Sequence, residues 1–230
     1  MSFGWSRAAL TGNTVVAPGL HRISLRVADD VARAFHAPGQ YHRVRVEHGK
    51  DSMFAIASAP GSHDFEYLIR ANDGVAGAWT RKVVGSEVEV SPPEGPGYPL
   101  ARAVGRTLII IGTGTGYAPL RSVLQTIRQR RDDFGPVHGL YGVHAPAQIA
   151  WADELPALAH VGIHVTPIIS RPAPGWTGPV GHVQQHLDRL PAHDAVVFAC
   201  GQAEMVAEVT ERLGHRGVPA HHVFQNYPSS

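Results

Sequence analysis

The sequence predicts a two-domain α+β protein, with an antiparallel Greek-key β-barrel over residues 1–100 and a doubly wound α/β unit over residues 101–230. Three observations predict it. Residues 1–100 break into short β-type stretches separated by Gly, Pro, Asp and His clusters. From there on, apolar strands alternate with helical stretches, the pattern of a parallel sheet covered on both faces. Between the two lies Pro92-Pro93-Glu94-Gly95-Pro96-Gly97-Tyr98-Pro99, a linker-like run of breakers. Composition agrees, since 43% of the 230 residues are hydrophobic and 17% charged, enough apolar material for a packed core.

In the first half the strand stretches are Val15-Val16, His21 to Val27, Tyr41 to Val46, Met53 to Ala57, Phe65 to Ile69 and Glu87 to Val90. Arg22-Ile23-Ser24-Leu25-Arg26-Val27 alternates polar and apolar residues, as a half-buried antiparallel strand does. One helical piece, Gly77 to Val84, interrupts the series. In the second half, strands are expected at Thr107 to Gly112, Val137 to Tyr141, Ile163 to Ile169, Ala195 to Cys200 and Val223-Phe224. Helices are expected at Pro119 to Arg131, Gln148 to Leu158, His182 to Leu190 and Glu204 to Gly214.

Charge and cysteine usage exclude several functions. A formal net charge of +1 argues against a nucleic-acid binder, which needs a basic stripe or patch. The longest apolar runs, such as Leu108 to Ile111, are too short to cross a bilayer. The first residues lack the apolar stretch of a secretory signal, so a cytoplasmic location is expected. A lone cysteine, Cys200, forms no internal disulfide and cannot ligate an iron–sulfur cluster. The 15 histidines are scattered, and no metal site is expected.

The strongest local signal is Gly112-Thr113-Gly114-Thr115-Gly116, set between the buried-strand stretch Leu108-Ile109-Ile110-Ile111 and the helix beginning near Pro119. Glycines let the chain turn sharply and let a phosphate approach the backbone. The helix then presents unpaired N–H groups and the positive end of its dipole to an anion. Proline at the first helical turn costs nothing, because its missing N–H had no partner there. The spacing differs from Gly-x-Gly-x-x-Gly and points to another class of dinucleotide site.

GTGTGYAPLRSVL resembles the nicotinamide-nucleotide loop of the ferredoxin–NADP reductase superfamily, and five further motifs follow the family's order. They are Pro38-Gly39-Gln40-Tyr41, Met53-Phe54-Ala55-Ile56-Ala57-Ser58, Leu68-Ile69-Arg70 with Gly74 to Trp79, Tyr141-Gly142 with Asp153-Glu154-Leu155, and Ala199 to Met205. The resemblance implies an NAD(P)H-dependent flavin oxidoreductase in which hydride passes from nicotinamide C4 to flavin N5. FAD would sit in the barrel and NADPH or NADH in the second domain, with electrons passed to a separate acceptor. It also implies that Cys200 lies beside the nicotinamide ring, where Gly201 leaves room for it. Flavin contacts are then expected from Phe54, Ala55, Ile56, Ala57, Ile69 and Arg70, and from Val75, Ala76, Gly77 and Ala78.

The sequence departs from the family where a flavin diphosphate would be gripped. Ser52, Phe54 and Ala55 stand where the family has arginine, tyrosine and serine. Phe54 keeps an aromatic face, and the Ile56 backbone N–H is expected to reach the flavin ring. Arg70, Arg43 or the start of the Gly77 helix could meet the diphosphate. Losing a charged hydrogen bond of this kind costs roughly 1.5–3 kcal/mol. Two alternatives therefore stand beside the main reading: free flavin as a substrate, and a non-catalytic nucleotide-binding subunit. Ser170-Arg171 reads either as a contact to a 2′-phosphate or as a solvated surface pair. Phe224 or Tyr227 reads either as a cover on the flavin ring or, for Phe224, as core.

Overall fold

The computed structural model describes residues 4–46 and 50–226, so Tyr227 lies outside the described residues. In the first half, β1 (Ser6–Ala17), β2 (Leu20–Arg26), β3 (Tyr41–Arg45), β4 (Asp51–Ala55), β5 (Asp64–Arg70) and β6 (Glu87–Val90) form one six-stranded sheet. Its strand order is β4-β3-β6-β1-β2-β5 and its pairings are antiparallel. The sheet curls around an apolar interior that includes Leu10, Ile23, Leu25, Val44, Phe65 and Trp79.

This sheet is barrel-like, as expected, and it is not closed. β4 stops at Ala55, and the next N–H, that of Ile56, donates back to Gln40 O at 3.0 Å. Beyond it, Ala57 N–H reaches across to Glu66 O on β5 at 2.7 Å, where the two edges approach. Two short helices decorate the sheet. α1 (Asp29–Ala34) was not expected, because six residues are too few to show a helical period. It carries Asp29 and Asp30 in its first turn and Arg33 in its last, the favourable order along a helix dipole. α2 (Val75–Thr80) starts earlier and ends sooner than the expected Gly77 to Val84. Val83 and Val84 are solvent-exposed instead, leading to Gly85 at φ +90°.

The second half holds β7 (Leu108–Thr113), α3 (Tyr117–Gln129), β8 (Val137–Val143), α4 (Leu155–His160), β9 (Ile163–Ile169), β10 (Val196–Cys200), α5 (Ala203–Gly214) and β11 (Val223–Gln225). These strands form a parallel sheet in the order β11-β10-β7-β8-β9. β7 is buried on both faces, as a central parallel strand must be. Leu108 and Ile110 join the apolar cluster that includes α3 residues, while Ile109 and Ile111 join the one that includes α5 residues.

Two expected helices are not continuous α-helices. The Gln148 to Leu158 stretch is divided into 3₁₀ turns at Pro146–Gln148 and Ala152–Glu154, followed by α4. Trp151 breaks it by adopting φ +54°, a conformation that strains a bulky side chain. The turn places its indole between two guanidinium groups, Arg22 at 5.1 Å and Arg121 at 4.3 Å from the ring centroid. Cation–π attraction of about 0.5–2 kcal/mol each offsets that strain. The His182 to Leu190 stretch is a 3₁₀ helix, Val183–Arg189.

The two halves share a core. Ala17, Leu20, Ala57, Leu68 and Tyr98 from the first meet Tyr117, Ala118, Leu120 and Val123 of α3. The breaker run is part of this contact, since Tyr98 is buried. At the contact's edge the buried Arg121 binds Glu66 of β5 at 2.8 Å and the Ala57 carbonyl at 3.1 Å. Its other nitrogens hold both carboxylate oxygens of Glu154. Ser122 Oγ donates to Ser58 O at 2.6 Å beside it. Among the described residues, no helix is long and apolar enough to cross a membrane.

One buried group in the curled sheet makes stability depend on pH. His42 is fully buried and its Nδ1–H donates to Ser91 O at 2.6 Å. Burial pushes this imidazole down from 6.5 to about 4, against the Ser91 bond, which favours the charged form. The unfolded chain therefore takes up a proton between those values while the folded chain does not. His42's contribution is fully present above about pH 6.5 and is lost as the pH falls to about 4. Urea unfolding across this window should show a loss approaching about 3 kcal/mol that His42→Gln removes. An identical pH slope in the variant would contradict the assignment.

Candidate functional site

Strand order reverses between β7 and β10, so α3 and α5 leave the sheet on opposite faces. A crevice opens outside the carboxyl ends of these strands, the usual ligand position in an open α/β sheet. A cleft of about 690 Å³ occupies it. Its floor is Thr113, Gly114, Thr115 and Gly116 at the end of β7, facing Cys200 and Gly201 at the end of β10. Leu20 and Arg70 of the curled sheet form the opposite wall.

The floor is built by close backbone approach. A Cβ on Gly116 would lie 2.6 Å from Cys200 O and 3.1 Å from Gly201 N. One on Gly201 would overlap Thr113 Oγ1 and the Met205 methyl, and one on Gly112 would sit 2.7 Å from Leu120 Cδ1. Gly114 differs: it adopts φ +54° with open space around it, so it serves the turn and leaves the surface bare. The 3₁₀ turn Gly114–Gly116 leads directly into α3, and its N-terminal N–H groups have no side-chain cap. That is the cradle a diphosphate requires, and the residues fit a nicotinamide dinucleotide.

Cys200 lines this cleft. Burial pushes its thiol up to about 11, against a hydrogen bond with Tyr98 that acts to lower it. It is therefore a neutral thiol at physiological pH, a contact surface with almost no thiolate to act as a nucleophile. Ser170 lines the cleft and its Oγ lies 2.9 Å from His144 Nδ1. Arg171 does not line it; its backbone N–H donates to His144 O and its side chain is exposed. Pro119 is buried within the first turn of α3. Phe224 packs edge-on to Phe198, at 6.0 Å between centroids, against the sheet core. Sequence reasoning missed His144, Gln148, His182 and Gln202, which also line the cleft. His144 follows β8 immediately and Gln202 lies two residues past the end of β10, and that position was the available signal.

The residues expected at the flavin gather at the edge between β4, β5 and α2. Phe54 lies edge-on to Trp79 at 4.9 Å, with Ala55 beside it half-buried. Ile56, Ala57, Ile69, Ala76 and Gly77 are buried, whereas Val75 and Ala78 are half-buried. Two expectations are corrected here. The Ile56 N–H is engaged by Gln40 O and does not face a ring. Arg43 is paired with Asp51 at 3.3 Å and Glu94 at 3.5 Å. The start of α2 has no side-chain cap, and Asn72 O lies where a side chain on Gly77 would stand. Arg70 remains as the cation facing the cleft. The surface thus fits a flavin ring against Phe54.

The glycine geometry sets an order of sensitivity. Gly116→Ala should abolish dinucleotide binding measured by calorimetry, because its Cβ drives the loop and β10 apart. Gly114→Ala should keep most of the binding and lose about 1 kcal/mol of stability from the left-handed backbone. Equal tolerance at both positions would contradict the cradle.

Known proteins agree with this architecture. A family model described as "Oxidoreductase NAD-binding domain" matches residues 110–211. Ferredoxin–NADP reductase B of Sorangium cellulosum is 31% identical over 239 residues, covering 94% of both chains. The anthranilate 1,2-dioxygenase electron transfer component of Acinetobacter baylyi is 27% identical over 94% of this chain, which spans 64% of that protein's length. In structure, a ferredoxin NADP⁺ reductase from Neisseria gonorrhoeae with bound FAD and NADP superposes with a TM-score of 0.84. That match covers 97% of this chain and 98% of the other at 19% identity, a likeness of fold. From its glycine cradle to its coverage by a full-length relative, the chain belongs to the ferredoxin–NADP reductase family of FAD- and NAD(P)-binding oxidoreductases.

Proposed function

We propose that the protein is an NAD(P)H-dependent flavin oxidoreductase that takes hydride from a nicotinamide dinucleotide and passes electrons on to a separate acceptor. The observation that carries this reading is the meeting of Gly116 with Cys200 and Gly201 at the strand-order reversal, opposite Leu20 and Arg70. Residues 101–230 form the dinucleotide half and residues 1–100 the flavin half. Gly112 to Gly116 and the first turn of α3, including Pro119, cradle the diphosphate. Ser170, with Arg171 behind it, faces the distal ribose, and Gly201 makes room for the nicotinamide ring beside Cys200. Phe54, Ala55 and Ile69 with the start of α2 shape the flavin face, and Arg70 supplies positive charge between the two ligands. Phe224 supports the floor through Phe198. When bound, the nicotinamide and flavin supply the hydride chemistry, while the protein aligns them and excludes water. Alignment of this kind lowers a barrier by up to about 7–11 kcal/mol. A single cysteine supports a reducing, cytoplasmic setting.

A second reading treats FMN, FAD or riboflavin as an exchanging substrate. The specific support is the flavin edge itself, where Ser52, Phe54 and Ala55 replace charged and hydroxyl groups and the Ile56 N–H is engaged. Purified protein taken through gel filtration and then mixed with NADPH or NADH and added FAD separates the two. Retained flavin that bleaches on reductant addition supports a resident FAD. Colourless protein that bleaches added FAD supports the exchanging substrate. Dinucleotide binding without any flavin reduction would overturn both and leave a nucleotide-binding subunit.

A further inference from the structure

Three glutamines line the cleft: Gln148, Gln184 and Gln202. Two of them are engaged by the protein. Gln148 Oε1 accepts the His144 N–H at 3.2 Å, and Gln184 Nε2 donates to Glu208 Oε2 at 3.0 Å. The Gln202 side chain is exposed and has no hydrogen-bond partner among the described residues. Its main chain is nevertheless fixed. Gln202 is the N-cap of α5, at φ −63° and ψ 143°, and its carbonyl accepts the Val206 N–H at 3.1 Å. A capping side chain usually accepts from the helix's first N–H groups, and this one makes no such bond. The residues before it are tied to the cleft floor. Cys200 pairs with Gly112 across β10 and β7, and Gly201 N lies 3.1 Å from the place a Cβ on Gly116 would take. A rigid backbone therefore carries one unspent carboxamide at the edge of the floor.

We propose that Gln202 determines specificity for the nicotinamide end of the dinucleotide: its carboxamide pairs with the carboxamide of the ring. The proposal rests on the oxidoreductase reading above, which seats that ring beside Cys200 and Gly201. The ring bears one hydrogen-bonding substituent, with an NH₂ donor and a C=O acceptor. Glutamine offers the complement of both, accepting from the NH₂ through Oε1 and donating to the carbonyl through Nε2. Cys200 and Met205, which line the cleft beside it, provide only weakly bonding sulfur. The Thr113 hydroxyl, packed against Gly201, has a single hydrogen to give. Gln202 is thus the side chain here that can meet both halves of the amide at once.

Calorimetry on the protein supplied with FAD tests this with three probes, each taken with and without its 2′-phosphate. They are NADP⁺, its 3-acetylpyridine analogue, in which a methyl replaces the amide NH₂, and 2′-phospho-ADP-ribose, which has no ring. The wild type should bind the acetylpyridine analogue about tenfold more weakly than the parent dinucleotide. Gln202→Ala, which keeps the backbone N–H, should bind the two within about twofold of each other. Its affinity for the ringless probe should match that of the wild type. Gln202→Glu keeps an oxygen for the NH₂ and should still prefer the parent dinucleotide. Equal wild-type affinity for the two dinucleotides overturns the proposal. So does an undiminished preference in Gln202→Ala, which assigns the contact to another group such as Thr113. Weaker binding of the ringless probe by Gln202→Ala also overturns it, because that marks a structural role at the floor. Failure of the wild type to bind any of the probes overturns the oxidoreductase reading itself.

Discussion

The structure depends on one buried cation. Arg121 leaves the dinucleotide-side helix and ends among Glu66, Glu154, the Ala57 carbonyl and the Trp151 ring. Burial opposes its charge, and the bond to Glu154 together with the Glu66 field outweighs that, raising its pKa above the ordinary arginine value. A planar guanidinium suits this task because each edge meets a different partner while its face stacks on an indole. Removing such a group leaves carboxylates facing one another in a poorly solvated place, a loss of about 3–5 kcal/mol in buried examples. Two of its partners, Glu66 and the Ala57 carbonyl, belong to the curled sheet. Arg121 therefore fixes the angle at which the two halves meet.

Function follows from that angle. Ala57 lies two residues beyond the end of β4, the strand that carries Phe54 and Ala55. Arg121 begins the second turn of the helix that follows the glycine cradle. A clamp between these points holds the floor of the dinucleotide cleft against the wall where a flavin ring would rest. The strain at Trp151 belongs to the same device, since its indole must enter between Arg22 and Arg121. Hydride transfer is steep in distance and orientation, and an interface fixed on both sides is what such chemistry requires.

Much of this was legible in the sequence. The parallel strands were visible because a central strand buried on both faces, such as Leu108 to Ile111, has no polar side to hide. The glycine turn was visible because close backbone contact admits one residue type, and Gly116 shows that contact. The Gln148 to Leu158 stretch misled because its break is caused by two arginines distant in the chain. The flavin edge misled for a related reason: the Ile56 N–H looked free until the fold placed Gln40 O against it. The segment from Pro92 to Pro99 read as a linker because prolines and glycines dominate it. Tyr98, its one large side chain, has partners that are all remote in sequence. Local propensity marks elements well, and long-range pairing decides what their ends are doing.

The central claim is that the clamp aligns a hydride donor with a flavin acceptor. Anaerobic rapid mixing with C4-deuterated NADPH and FAD, in the wild type and in Arg121→Lys, tests it most directly. The account predicts a primary isotope effect on flavin reduction in the wild type. It further predicts a markedly slower reduction in Arg121→Lys with dinucleotide affinity retained, since lysine cannot meet three partners and stack at once. Flavin reduction without an isotope effect, or at an unchanged rate in folded Arg121→Lys, would contradict it.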